Sequence, residues 1–132
     1  MTGDAKRVLI VDDDEDFVAA IASFLEANRY AVLKAHSGAE GVRLAKLERP
    51  DLILMDIMMN ERTEGFFTIQ EIRRTPEMGN VPIFVISAVC GRLPDFEIPQ
   101  GGGWLAHDMF LPKPVDMSHL LEKIRQRIGT PA

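Results

Sequence analysis

Cysteine, tyrosine and tryptophan each occur once in the 132 residues. No apolar run approaches the roughly 20 residues a membrane-spanning helix needs. With Cys90 as the sole cysteine, no intrachain disulfide can form, and the residue reads as a small half-buried thiol. The opening Met1-Thr2-Gly3-Asp4 lacks an apolar signal region, so a cytoplasmic location is expected and no membrane partner. Positive charge is also in short supply: 15 Lys and Arg stand against 20 Asp and Glu, for a net charge of −5. That balance argues against a broad electrostatic grip on nucleic acid or anionic lipid. His36, His107 and His119 do not have metal-ligand spacing and read as surface or capping residues. Internal repeats and low-complexity segments are missing too.

What remains is an ordinary globular composition, 46% hydrophobic and 27% charged, of a size that suits a single domain over 1–132. Short apolar runs alternate with helical patterns. Val8-Leu9-Ile10-Val11 and Leu52-Ile53-Leu54-Met55 are continuous apolar runs of strand length, as expected for strands covered on both faces. Tyr30 to Ala35, Pro82 to Ser87 and Met109-Phe110-Leu111 complete five strands. Between them, Phe17, Ile21, Phe24, Leu25 and Asn28 trace a helical stripe behind a capping Asp14. Ser37-Gly38-Ala39-Glu40 is a capping box whose helix stops near Pro50. A third helix runs from Gly65 to about Arg74, with Phe66-Phe67 expected to pack into the core at its start. Met117, Leu120, Leu121, Ile124 and Ile128 form the buried face of a last helix, ended by Gly129 and Pro131. Between Cys90 and His107, Pro94, Pro99 and Gly101 to Gly103 oppose a long regular helix. The alternation predicts an α/β fold: a doubly wound, five-stranded parallel sheet with helices on both faces.

In such a sheet, ligands gather beyond the carboxyl ends of the strands. Strand one ends at Asp12 and Asp13, strand three at Asp56, strand four at Ser87, and strand five leads into Lys113. Taken singly, each has a bland explanation: an Asp at a strand end is usually a helix cap, Ser87 a turn residue, Lys113 a solvated charge. Taken together, three carboxylates, a hydroxyl and an ammonium converge on one edge. Crowded carboxylates repel unless a cation intervenes, and Mg²⁺ suits an all-oxygen shell completed by water. A carboxylate beside a metal and a lysine is a nucleophile toward phosphorus.

These residues resemble the response-regulator receiver family of two-component signalling, from about Lys6 to Ile128. The motifs that carry the resemblance are Val8-Leu9-Ile10-Val11-Asp12-Asp13-Asp14, Leu52-Ile53-Leu54-Met55-Asp56-Ile57-Met58-Met59, Val85-Ile86-Ser87-Ala88 and Lys113-Pro114-Val115. The resemblance implies a flavodoxin-like strand order 2-1-3-4-5. It implies that Asp56 accepts a phosphoryl group from a histidine kinase or phosphotransfer protein, and that the phosphorylated form engages a downstream protein. Asp13 would bind Mg²⁺ directly, Asp12 through water, and Asp56 and the backbone carbonyl of Met58 would complete the protein ligands. Ser87 would hydrogen-bond the phosphoryl group and Lys113 would pair with it. Ser87 and the strand-five aromatic Phe110 would switch between two states, and the Lys113–Pro114 bond would be cis. Met58 and Val89 would flank the path of the hydrolytic water, and both are apolar, so the phosphoryl group should be lost slowly. The domain would not be an enzyme beyond self-phosphorylation from small donors and that slow autodephosphorylation.

The chain departs from the family pattern in two places. Asn60-Glu61-Arg62-Thr63-Glu64-Gly65 replaces the usual Pro and Asp-Gly after the third strand, in a loop one residue longer than common. The stretch between Ser87 and Lys113 is several residues longer than usual, so the helix expected there, the fourth of five, should be short or irregular. Two other readings stand beside this one. A pseudo-receiver would bind partners without being phosphorylated. A haloacid-dehalogenase-like phosphatase could borrow Asp12-Asp13-Asp14, but would meet Asp16 where it wants Thr or Val and would leave Asp56 without a role.

Overall fold

The continuous apolar runs pair into one parallel sheet of five strands in the order β2-β1-β3-β4-β5. They are β1 (Arg7–Val11), β2 (Ala31–Ala35), β3 (Leu52–Met55), β4 (Ile83–Ser87) and β5 (Met109–Pro112). Among the described residues, four helices accompany them: α1 (Glu15–Ala27), α2 (Gly38–Glu48), α3 (Glu64–Arg73) and α4 (Met117–Ile128). The computed structural model describes residues 6–56, 64–87 and 109–130. The expected irregular helix between β4 and β5, Cys90 and His107 lie outside the described residues. So does the 57–63 loop with Met58.

Successive strand residues point to opposite faces, and the two sets feed two cores. Val8, Ile10, Leu52, Leu54, Phe84 and Ile86 pack with Val18, Ile21 and Leu25 of α1 and Leu120, Leu121 and Ile124 of α4. Leu9, Val11, Ile53, Met55, Ile83 and Val85 pack with Ala45 of α2 and Ile69 and Ile72 of α3. Residues 52–55 of β3 are all at most 1% exposed, which explains their unbroken apolar run.

The helix ends follow their cap chemistry. The Asp14 carboxylate accepts from the Phe17 N–H at 3.1 Å, and Ser37 Oγ accepts from the Glu40 N–H at 3.2 Å. Asp116 caps α4 in the same way, accepting from the His119 N–H at 3.1 Å. His119 itself is exposed, as is His36. Tyr30 lies just before β2, and its hydroxyl donates to the Gly129 carbonyl at 2.8 Å, tying the end of α4 to the sheet.

One packing expectation fails. Phe67 is 69% exposed rather than part of the core. The phase of α3 is set by Ile69 and Ile72, both at most 1% exposed. Phe67 sits two residues before Ile69, about 200° round the helix, and therefore faces away from the sheet.

Helix α2 lies close over β1 because Gly41 has no side chain. A Cβ there would stand 2.8 Å from Val11 Cγ2 and 3.0 Å from Cγ1, both on a fully buried β-branched residue. Gly41→Ala should therefore lose about 1–2 kcal/mol of stability by urea unfolding, despite the roughly 1 kcal/mol that Ala gains in helix propensity. Adding Val11→Ala should make the Gly41→Ala step less costly. A Gly41→Ala variant as stable as wild type would show that the helix can lift without cost.

Candidate functional site

The register of the central strands brings the first two acidic residues together. Val11 pairs with Met55, so Asp12 and Asp56 are the next residues along β1 and β3. Backbone bonds anchor both: the Asp56 N–H donates to the Val11 carbonyl and the Asp12 N–H to the Ala35 carbonyl, each at 3.0 Å. Their side chains are buried, Asp12 at 1% and Asp56 at 5% exposure. Asp13 follows Asp12 at the exposed rim. One carboxylate oxygen from each of the three lies within 4.8 Å of the others.

Lys113 follows β5, which is separated from β3 by β4, so only a long stem can reach the carboxylates. Its Nζ donates to Asp12 Oδ2 at 2.9 Å and to Asp56 Oδ2 at 3.4 Å. Burial would pull the Lys113 pKa down, but the hydrogen bond and charge of Asp12, with those of Asp56, outweigh it and hold the ammonium above its ordinary value. Lys113 is thus a cation at neutral pH. The other oxygen of Asp12, Oδ1, accepts from the Asp14 N–H at 2.9 Å, which links the site to the start of α1. The ring of Phe17, on that first turn, lies with its centroid 4.3 Å from Lys113 Nζ. The sequence places Phe17 on the buried stripe of α1 but carries no sign of its nearness to Lys113, which lies far along the chain.

The structure therefore gathers Asp12, Asp13, Asp56 and Lys113. Ser87 closes β4, opposite Pro112 of β5 in the pairing, and Phe110 pairs with Val85. The Ser87 and Phe110 side chains, like Met58 and Val89, lie outside what the structure describes. The Lys113–Pro114 peptide is cis, as the resemblance implied. Three carboxylates against one ammonium leave an excess of two negative charges, the charge of one divalent cation. An all-oxygen set of this kind, partly buried and open at the Asp13 rim, fits Mg²⁺, which keeps several waters and takes only a few carboxylates.

Fold and site together define a doubly wound α/β domain with an acidic pocket and a lysine at the carboxyl edge of its sheet. The model of the response regulator receiver domain matches residues 8–125, and the chain belongs to that family. It is similar to the polar-differentiation response regulator DivK of Brucella anthropi, with 29% identity over 124 residues that cover 94% of this chain and 97% of that protein. Among solved structures it is similar to a CheY-like response regulator receiver domain protein from Methanospirillum hungatei. That match has a TM-score of 0.77 and 25% identity and covers 94% of both chains. The receiver domain of the hybrid histidine kinase CckA matches with a TM-score of 0.73 and 27% identity, covering 92% of this chain and 98% of that one. Family membership displaces the dehalogenase-type reading.

Removing the ammonium should leave the buried carboxylates facing each other. In metal-free protein at neutral pH, Lys113→Met is expected to be less stable than wild type by about 1–3 kcal/mol in chemical denaturation. Because Lys113 titrates higher in the folded protein, its contribution is full below the ordinary value of 10.5 and is lost as pH rises through the folded value. The gap between wild type and Lys113→Met should accordingly narrow in that alkaline window. An equal gap at all pH values would mean that Lys113 stabilises by packing alone.

Proposed function

We propose that the chain is a phosphorylation-dependent signalling switch that accepts a phosphoryl group on Asp56 from a histidine kinase or phosphotransfer protein in the cytoplasm. The observation that carries this reading is the buried Asp56 carboxylate, beside two further carboxylates and bonded to Lys113, at the carboxyl edge of a receiver sheet. An Asp56 oxygen attacks the phosphorus of the donor phosphohistidine. The P–N bond breaks, its electron pair leaves with the imidazole, which takes up a proton, and an acyl phosphate remains on Asp56. Lys113 neutralises the charge that builds on the phosphoryl oxygens, from a position already fixed by Asp12. Asp13, Asp56 and the Met58 carbonyl would hold Mg²⁺ directly and Asp12 through water, as the resemblance implies. When bound, Mg²⁺ would offset the negative charge gathered among the carboxylates and phosphoryl oxygens.

Phosphorylation turns the Asp56 carboxylate, with one negative charge, into an acyl phosphate with roughly one and a half to two, and brings three acceptor oxygens to the strand edge. Ser87 and Lys113 follow those oxygens, and Phe110 changes position with them, so that the β4–β5 side presents a different surface to a downstream protein. The whole chain acts as one receiver unit, without a catalytic cycle of its own beyond labelling from small donors and slow loss of the group.

Acetyl phosphate or phosphoramidate with Mg²⁺ should add one phosphoryl group to the intact mass of wild type and none to Asp56→Asn. Labelling that persists in Asp56→Asn would overturn the assignment. Asp13→Ala should fold normally but bind Mg²⁺ at least about tenfold more weakly, by titration of the folded protein without any donor. Unchanged Mg²⁺ affinity would remove Asp13 from the ligand set. After the donor is withdrawn, the phosphorylated mass should persist for many minutes. Met58→Asn combined with Val89→Glu should shorten that lifetime about ten- to a hundredfold by orienting water. A wild type that decays within seconds would contradict the roles given to Met58 and Val89.

A further inference from the structure

Two carboxylates do not account for the whole environment of the Lys113 ammonium. Its third neighbour is the face of Phe17, 4.3 Å from Nζ to the ring centroid and well inside the roughly 6 Å over which an aromatic face attracts a cation. We propose that Phe17 is a positioning residue for phosphoryl transfer, its ring holding the Lys113 ammonium over Asp12 and Asp56. The inference rests on the reading of Asp56 as phosphoacceptor and extends it to a residue outside the acidic cluster.

Four contacts close on themselves. Asp12 Oδ1 accepts from the Asp14 N–H, Asp14 Oδ1 accepts from the Phe17 N–H, the Phe17 ring faces Lys113 Nζ, and Nζ donates back to Asp12 Oδ2. The ring is fixed from two further sides. It stands in the first turn of α1, whose start is set by the Asp14 cap, and it packs against the core shared by α1 and α4. Lysine, by contrast, carries a compact charge on a flexible four-carbon stem that readily turns out to water. An aromatic face attracts the ammonium yet offers no strong acceptor to compete with the carboxylates. It therefore covers one side of the Lys113 ammonium and leaves the N–H donors for Asp12, Asp56 and the oxygens of an incoming phosphoryl group. A side chain that only filled space would serve equally well as leucine or methionine, and that difference can be measured.

Phe17→Leu and Phe17→Met keep an apolar side chain and remove the ring, whereas Phe17→Tyr keeps the ring. In wild type without metal, the Lys113 ε-methylene proton signals should be shifted upfield by the ring current. The shift should vanish in the Leu and Met variants and remain in Phe17→Tyr. Labelling by phosphoramidate at saturating Mg²⁺ should slow about three- to tenfold in Leu and Met and stay within about twofold of wild type in Tyr, the range a partly desolvated cation–π contact supports. A small donor is used so that docking of a protein partner on α1 cannot produce the effect. Wild-type rates in Phe17→Leu or Phe17→Met, or a Phe17→Tyr variant as slow as they are, would overturn the proposal. So would a wild type without the ring-current shift. If wild type fails to label at all, the phosphoacceptor reading falls and this inference with it. If wild type labels and the Leu and Met variants match it, only this inference falls.

Discussion

Everything at the carboxyl edge depends on the parallel pairing of β1 with β3. That register sets Val11 opposite Met55, so the residues that follow, Asp12 and Asp56, are neighbours whether or not their charges tolerate it. Both strands are buried on both faces and the Asp56 N–H is bonded to the Val11 carbonyl, so neither carboxylate can retreat by moving its backbone. Burying a lone carboxylate costs several kcal/mol, and burying two side by side costs more. The surroundings of the pair answer that cost. The Asp14 N–H and the Lys113 ammonium occupy the two oxygens of Asp12, and the ammonium also reaches Asp56.

The chain spends sequence on this edge in an orderly way. The strands supply rigidity, because alternate side chains lock into separate cores under α1 and α4 on one face and α2 and α3 on the other. The site residues stand just beyond the strand ends, Asp12 and Asp13 after β1, Asp56 after β3 and Lys113 after β5. Carboxylates on the inner strands are thus fixed, while the neutralising cation comes from an edge strand on a long stem. A charge change at Asp56 acts first on the most adaptable member of the group.

Much of this was legible in the sequence because of what burial demands. Strands covered on both faces must be apolar throughout, so Val8–Val11 and Leu52–Met55 stood out, and the alternation with helices implied a shared carboxyl edge on which Asp12, Asp13, Asp56 and Lys113 had to meet. Asp14 and Ser37 were readable as caps because cap chemistry is local. Helix phase was less readable. Two adjacent phenylalanines cannot both face the sheet, and nothing in Phe66-Phe67 itself reveals that Ile69 and Ile72 turn Phe67 outward. Contacts between distant segments were not readable at all. The Tyr30 hydroxyl meets the Gly129 carbonyl across 99 positions, and Phe17 meets Lys113 from the opposite end of the chain. Periodicity marks Tyr30 and Phe17 as apolar body, and only the assembled sheet shows which polar or charged group each one touches.

The geometry of Asp12 also bears on how a change at Asp56 would travel. One Asp12 oxygen holds Lys113 and the other holds the backbone that starts α1. On the phosphoacceptor reading, the phosphoryl group would compete with Asp12 for the same ammonium, since an acyl phosphate carries about two negative charges against the one of a carboxylate. As Lys113 shifts toward Asp56, the buried Asp12 oxygen loses its partner and demands another positive charge. On that reading, any cation held among Asp12, Asp13 and Asp56 would bind more tightly once Asp56 is phosphorylated, and by thermodynamic reciprocity the same cation would favour the phosphorylated state by an equal factor. The coupling needs no conformational pathway. It follows from one ammonium shared between two carboxylates that the sheet will not let separate.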